Sequence, residues 1–165
     1  MNVKAIATAV LVTFGLASTS AFAATSTSTM PVKIIIQNAC NVATTAPTTL
    51  DFATQGPLVA NVDSTAVITL TCTSGANYNV GLDGGGAGAA NIGARRMING
   101  TNVVAYQLYR DAGHTNVWGN TIGTDTAAGS GTGTTQTLTV YGRVPPQTTP
   151  PAATYNDTVN VTVTY

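Results

Sequence analysis

Glutamate is absent from the 165 residues, histidine occurs once, and charged residues make up only 7% of the chain. Proton transfer and covalent catalysis need titratable groups set against one another. Here the lone His114 lies in RDAGHTNVWG with no nucleophile-elbow context, so it reads as an exposed loop histidine. No catalytic residue, metal ligand or cofactor is assigned, and no enzyme is expected. Behind residue 23 the basic residues are Lys33, Arg95, Arg96, Arg110 and Arg143, against Asp51, Asp63, Asp83, Asp111, Asp125 and Asp157, a balance of −1. That leaves no electrostatic footprint for nucleic acid or anionic lipid. No apolar run approaches the roughly 20 residues of a membrane helix, so no membrane span is expected. Helical periodicity is missing behind the N-terminal segment as well.

What is present is an export signal followed by a β vocabulary. Lys4, the apolar run AIATAVLVTFGLA and the small-residue site Ala21-Phe22-Ala23 make residues 1–23 a secretory signal peptide, with the mature chain starting at Ala24. The remainder fits one domain. Thr, Ser, Asn and Gly dominate its polar content, and period-two alternation marks strands at Ala66–Cys72, Tyr78–Leu82, Val103–Tyr109, Thr137–Val144 and Tyr155–Tyr165, with a weaker one at Leu50–Phe52. Turn-rich stretches at Asp83–Gly93, Ala127–Gly133 and Val144–Ala153 separate them. Cys40 and Cys72 form an even set in an exported chain, so one disulfide is expected, worth roughly 3–4 kcal/mol by loop entropy. Short strands with one disulfide argue for an immunoglobulin-like β-sandwich.

Other motifs carry little. Gly84, Gly86 and Ala89 match G-x-G-x-x-A after a strand, but no helix follows, so a flexible loop is expected. Arg95 and Arg96 read as a solvated hairpin end beside Asn99-Gly100. The N-x-[ST] triplets at Asn99, Asn156 and Asn160 are chance matches in a Thr-rich chain. Tyr106, Tyr109, Trp118 and Tyr141 could make a sugar platform; Tyr106 alternates with Val104 and Leu108 and so suits the core, while the exposure of Tyr109 and Trp118 stays open.

The two ends stand out. Met30, Val32, Ile34 and Ile36 line one face of a strand-like segment behind the polar run Ala24–Thr29. Seating that face would release roughly 6–12 kcal/mol before ordering costs. Such a strand can be added to another subunit's sheet or pair within its own domain, and the residues alone leave both open. The far end reads Val159, Val161, Val163 and Tyr165 on one face, with Thr158, Asn160, Thr162 and Thr164 on the other.

The sequences IIIQNAC, ITLTCTSGANYNVGLDGG, RRMINGTNVVAYQLYRDAGHTNVWG, TVYGRVPPQ and ATYNDTVNVTVTY resemble the spore coat protein U-like domain family, in particular shaft subunits of archaic, Csu-type chaperone-usher pili. The resemblance implies an incomplete immunoglobulin-like β-sandwich that lacks its last strand. It implies a structural pilin subunit, held by a periplasmic chaperone, assembled at an outer-membrane usher and exported through the periplasm to a cell-surface pilus that supports attachment and biofilm formation. The fold is completed by a donor strand from a neighbouring copy or a related pilin. Residues 24–37 would be the donor-strand extension, with Met30, Val32, Ile34 and Ile36 filling the groove. Residues 38–165 would be the pilin-like sandwich, whose terminal strand Val159, Val161, Val163 and Tyr165 borders the acceptor groove and contacts the chaperone. Cys40 and Cys72 would make the family's disulfide. The alternative is a secreted structural spore-coat-type protein with a self-contained sandwich. One domain suits a shaft or adaptor subunit rather than a tip adhesin. Ile35, on the off-face, is then expected to pack between subunits. An Ile35→Ser exchange should weaken isolated filaments against heat, and filaments of unchanged stability would dispose of that role.

Overall fold

The computed structural model describes residues 23–42, 49–87 and 91–165. The expected export signal lies outside them except for Ala23, as does Ala89. The chain divides into two units, one ending at Ile35 and one running from Ile36 to Tyr165. In the first, residues 23–35 carry no regular secondary structure and every one is exposed.

In the second unit the longest strand is written plainly in its residues. VDSTAVITLTC alternates apolar or small side chains with Asp and Thr, and forms β2 (Val62–Cys72), with Ile68 and Leu70 fully buried. Its partner β8 (Thr135–Val144) runs antiparallel, in register from Val62 opposite Val144 to Thr71 opposite Thr135. The threonines of both strands share the outward face. This ladder is flanked by β1 (Cys40–Val42) and β6 (Gln107–Tyr109), giving a four-stranded sheet in the order β1-β2-β8-β6. A second sheet sets β3 (Asn77–Leu82) between β7 (Ala127–Ser130) and β9 (Val161–Thr164). A hairpin of β4 (Arg96–Asn99) and β5 (Asn102–Ala105) stands apart, closed by Gly100 at φ 57°. The core between the sheets holds Ile68, Leu70, Tyr78, Val80, Leu82, Leu108, Trp118 and Val140. At about 1.5–3 kcal/mol for each large apolar side chain, this layer supplies the main cohesion. The Cys40–Cys72 disulfide joins β1 to the end of β2.

One side of the sandwich is closed by Val117–Gly119. Trp118 donates its amide to Leu108 O at 2.9 Å, and Gly119 O accepts from Leu82 N at 2.9 Å, so this short stretch bonds to both sheets. Trp118, 1% exposed, adds an indole hydrogen bond to Val80 O at 2.8 Å. The buried Arg95 completes the seam. Its guanidinium donates to the carbonyls of Asp83, Leu82 and Trp118 and to Gln107 Oε1, at 2.7–3.0 Å. Four acceptors satisfy a cation that burial alone would make costly.

Met30–Ile36 carries no regular secondary structure in the single chain, since a strand exists only against a partner. Several expectations are corrected. Leu50–Phe52 is not a strand but packs inward onto β8, where Gly142 leaves room for it. The expected strand Val103–Tyr109 divides at Tyr106, whose amide bonds to Arg95 O as the chain leaves the hairpin for the main sheet. The expected turn at Ala127–Gly133 contains β7, paired to β3 from Ser130 opposite Asn77 to Ala127 opposite Val80, a tertiary pairing that overrides weak local propensity. Tyr155–Tyr165 is strand only over Val161–Thr164, with an isolated bridge from Asn156 to Ile98. Arg95 is buried rather than solvated, and Trp118, whose exposure the residues left open, lies in the core.

A methyl at Gly142 would come within 2.7–3.0 Å of Leu50 and Phe52. Gly142→Ala should therefore overpack this layer and cost about 1–3 kcal/mol, read as a lowered urea midpoint with an unchanged slope.

Candidate assembly site

With one side sealed by Val117–Gly119, β1 and β9 are the sheet edges of the other side. Both are short, three and four residues. Ladder partners across this region differ in burial. Val80 and Leu82 of β3 are 0% and 2% exposed, whereas Val163 and Val161 opposite them on β9 are only half-buried. Val159 is half-buried as well. On the facing sheet, Leu138 is half-buried beside the fully buried Ile68. The same residue types at the same depth are covered on one side and open on the other, which is what a sandwich shows where one strand's worth of side chains is missing.

The backbone of this edge is equally open. Asp83 N donates to Asn160 O at 3.2 Å, so Asn160 faces β3, and the alternation of an antiparallel ladder turns Thr162 and Thr164 the same way. Val159, Val161 and Val163 then direct their side chains inward and their N–H and C=O groups outward along the free edge. Tyr165 lies past the end of β9 and is 61% exposed.

The approach to β9 is held by two aspartates rather than by a ladder. Asp83 Oδ1 accepts from Asn160 N and from Gly85 N, both at 3.0 Å, and its Oδ2 from Asn160 Nδ2 at 2.6 Å. Asp157 accepts from Tyr106 Oη at 2.6 Å, Ala87 N at 3.0 Å and its neighbour Thr158 N at 2.8 Å. The Asp83–Ala87 loop expected to be flexible is thus tied down, and Gly85, at φ 86°, is needed there because any Cβ would overlap the Asp157 carboxylate. Burial and the Asp157 bond push the Tyr106 hydroxyl well above its ordinary pKa. Burial raises the Asp83 carboxyl, but the Gly85 and Asn160 amides and the Asn160 side chain outweigh it and hold the carboxyl below its ordinary value. Sequence reasoning missed both residues; the only signal was Y-N-D-T before the last strand.

The four apolar residues expected in the N-terminal segment are open: Met30 83%, Val32 85%, Ile34 83% and Ile36 75% exposed. Ile35 is 69% exposed. Elsewhere, His114 is not a solvent-exposed side chain. It stands edge-on between Tyr109 and Tyr141, with centroids at 5.1 and 6.3 Å, and its Nε2 lies 3.8 Å from Asp63 Oδ1. Asp63 is already held by Arg143 through two bonds of 2.7 Å. Among the described residues, no group of three or more His, Cys, Asp or Glu could hold a metal ion, and no helix is long and apolar enough to cross a membrane.

Comparison with known proteins fits this geometry. The model of the Spore Coat Protein U domain matches residues 26–162. The chain belongs to the spore coat protein U domain family. It is 35% identical to Protein U of Myxococcus xanthus over 179 aligned residues, 98% of this chain and 99% of that protein. A solved structure of similar fold is the CsuC–CsuE chaperone-tip adhesion subunit pre-assembly complex from archaic chaperone-usher Csu pili of Acinetobacter baumannii, with 18% identity and a TM-score of 0.53. The match covers 79% of this chain and 40% of that one, and at this identity the likeness is one of fold. Family and fold together mark a structural protein, not an enzyme.

The lowered Asp83 carboxyl contributes stability above its ordinary value of 3.8, and loses it as pH falls through the lower folded value. Urea midpoints should therefore drop below about pH 4, and Asp83→Asn should flatten part of that fall. Identical pH profiles for the two proteins would show that the carboxylate is not held in this way.

Proposed function

We propose that the chain is a structural subunit of an archaic chaperone-usher pilus, which polymerises when residues 24–37 of one copy are added as a strand to the β9 edge of the next. The observation that carries this is the exposure of Met30, Val32, Ile34 and Ile36 at 75–85%, an alternating apolar face that water disfavours. The open β9 edge, with its half-covered valines, offers matching side-chain sites and backbone groups. Residues 1–23 direct export, residues 38–165 form the acceptor body, and a periplasmic chaperone shields the edge until an outer-membrane usher hands over the next subunit. Assembled copies form a cell-surface fibre supporting attachment and biofilm formation.

A second reading, a spore-coat component, is favoured by the identity extending over 99% of Protein U. In that reading the N-terminal segment closes its own sandwich.

Size distribution without heating separates the two. The mature chain should give a ladder of stable multimers. A version beginning at Gln37 should stay unstable until a synthetic Ala24-to-Gln37 peptide restores a compact monomer. A stable full-length monomer indifferent to the peptide would reject strand addition in favour of the self-contained coat module.

A further inference from the structure

We infer that Asp83 and Asp157 are positioning residues that lengthen the strand-accepting edge beyond β9, so that Val159 receives the incoming strand together with Val161 and Val163. This rests on the strand-addition reading above.

The reason lies in Arg95. An antiparallel ladder continued past Leu82 would use the carbonyl of Asp83 to accept the Asn160 amide, as the Asp83 amide already serves the Asn160 carbonyl. That carbonyl instead accepts from Arg95 Nε at 2.9 Å, and the Asn160 amide turns to the Asp83 carboxylate. The buried guanidinium, which ties both sheets to Trp118, thus engages the carbonyl on which the next rung would depend. Asp83 supplies a substitute from its own side chain. Its Oδ1 accepts from Asn160 N at 3.0 Å and its Oδ2 grips the Asn160 side chain at 2.6 Å. Three residues further along the loop the pattern repeats. Gly86 N reaches Thr158 O at 2.9 Å, and the Thr158 amide is met by the Asp157 carboxylate. That carboxylate is itself anchored to Tyr106 and Ala87.

The segment 157–160 is thus held in strand-like phase although only Val161–Thr164 satisfies a strand ladder. Its inward residue, Val159, continues the Val161 and Val163 series and packs on the core. Its outward amide and carbonyl continue their edge. Without the carboxylates the accepting edge would begin at Val161, and one seat for an apolar side chain would lose its fixed floor.

Site-resolved hydrogen exchange on the full mature chain, comparing monomer with assembled multimer, tests this. In the wild type, the amides of Val159, Val161 and Val163 should all slow on assembly. In Asp83→Ala, Val159 protection should fall by about tenfold or more, while Val161 and Val163 stay protected and the core amides of Ile68 and Val140 do not change. Asp83→Asn, which keeps an acceptor for Asn160, should restore Val159. Asp157→Ala, which removes the acceptor of the Thr158 amide, provides a second variant with the same selective loss, should Asp83→Ala fail to fold. Protection at Val161 and Val163 with none at Val159 in the wild type overturns the positioning role alone. So does Val159 protection that survives Asp83→Ala, or a loss spread evenly over Ile68 and Val140. No change at any of the three valines on assembly overturns strand addition, and the positioning role with it.

Discussion

A sheet edge whose inward side chains are only half covered governs the rest of this molecule. Among the described residues, β9 pairs with β3 on one side and with no strand on the other, and the same residues that carry the outward backbone groups carry the half-exposed valines. The two requirements cannot be met separately, because period two assigns both to Val159, Val161 and Val163. Only an extended segment with apolar residues at alternate positions satisfies them together. Water or a loop would satisfy one and leave the other.

The opposite side shows how firmly such a seam can be closed from within one chain. Val117–Gly119 bonds to both sheets, Trp118 fills the space behind it, and Arg95 ties the carbonyls of Leu82, Asp83 and Trp118 to one cation. A guanidinium buried among carbonyls is stable only if its donors are met. Satisfying it diverts the Asp83 carbonyl from the neighbouring ladder, which couples the closed side of the sandwich to the open one.

Much of the fold was legible in the residues because two-fold alternation is local. VDSTAVITLTC and TQTLTVYGRV carry their own burial pattern, and the structure follows it with longer limits than the apolar cores alone suggested. Family motifs pointed correctly to the spore coat protein U domain. What was not legible depends on neighbours distant in sequence. AAGS becomes β7 only because β3 lies beside it. Arg95 looked like a hairpin cation, since its four acceptors come from positions 82, 83, 107 and 118. His114 looked exposed because nothing local places Tyr109 and Tyr141 on either side of it. Asp83 and Asp157 appeared as ordinary loop acids for the same reason.

The scarcity of cations has a consequence for resistance to proteolysis. Arg95 is buried, Arg143 is clamped by Asp63, and Arg110 and Arg96 each give a side-chain hydrogen bond to a backbone carbonyl. Lys33 is the lysine left behind residue 23, and it sits in the exposed N-terminal segment. A trypsin-like protease therefore meets its most open cleavage point inside the stretch that a neighbouring copy would cover. Unassembled chains would be pruned there, and joined ones would outlast them.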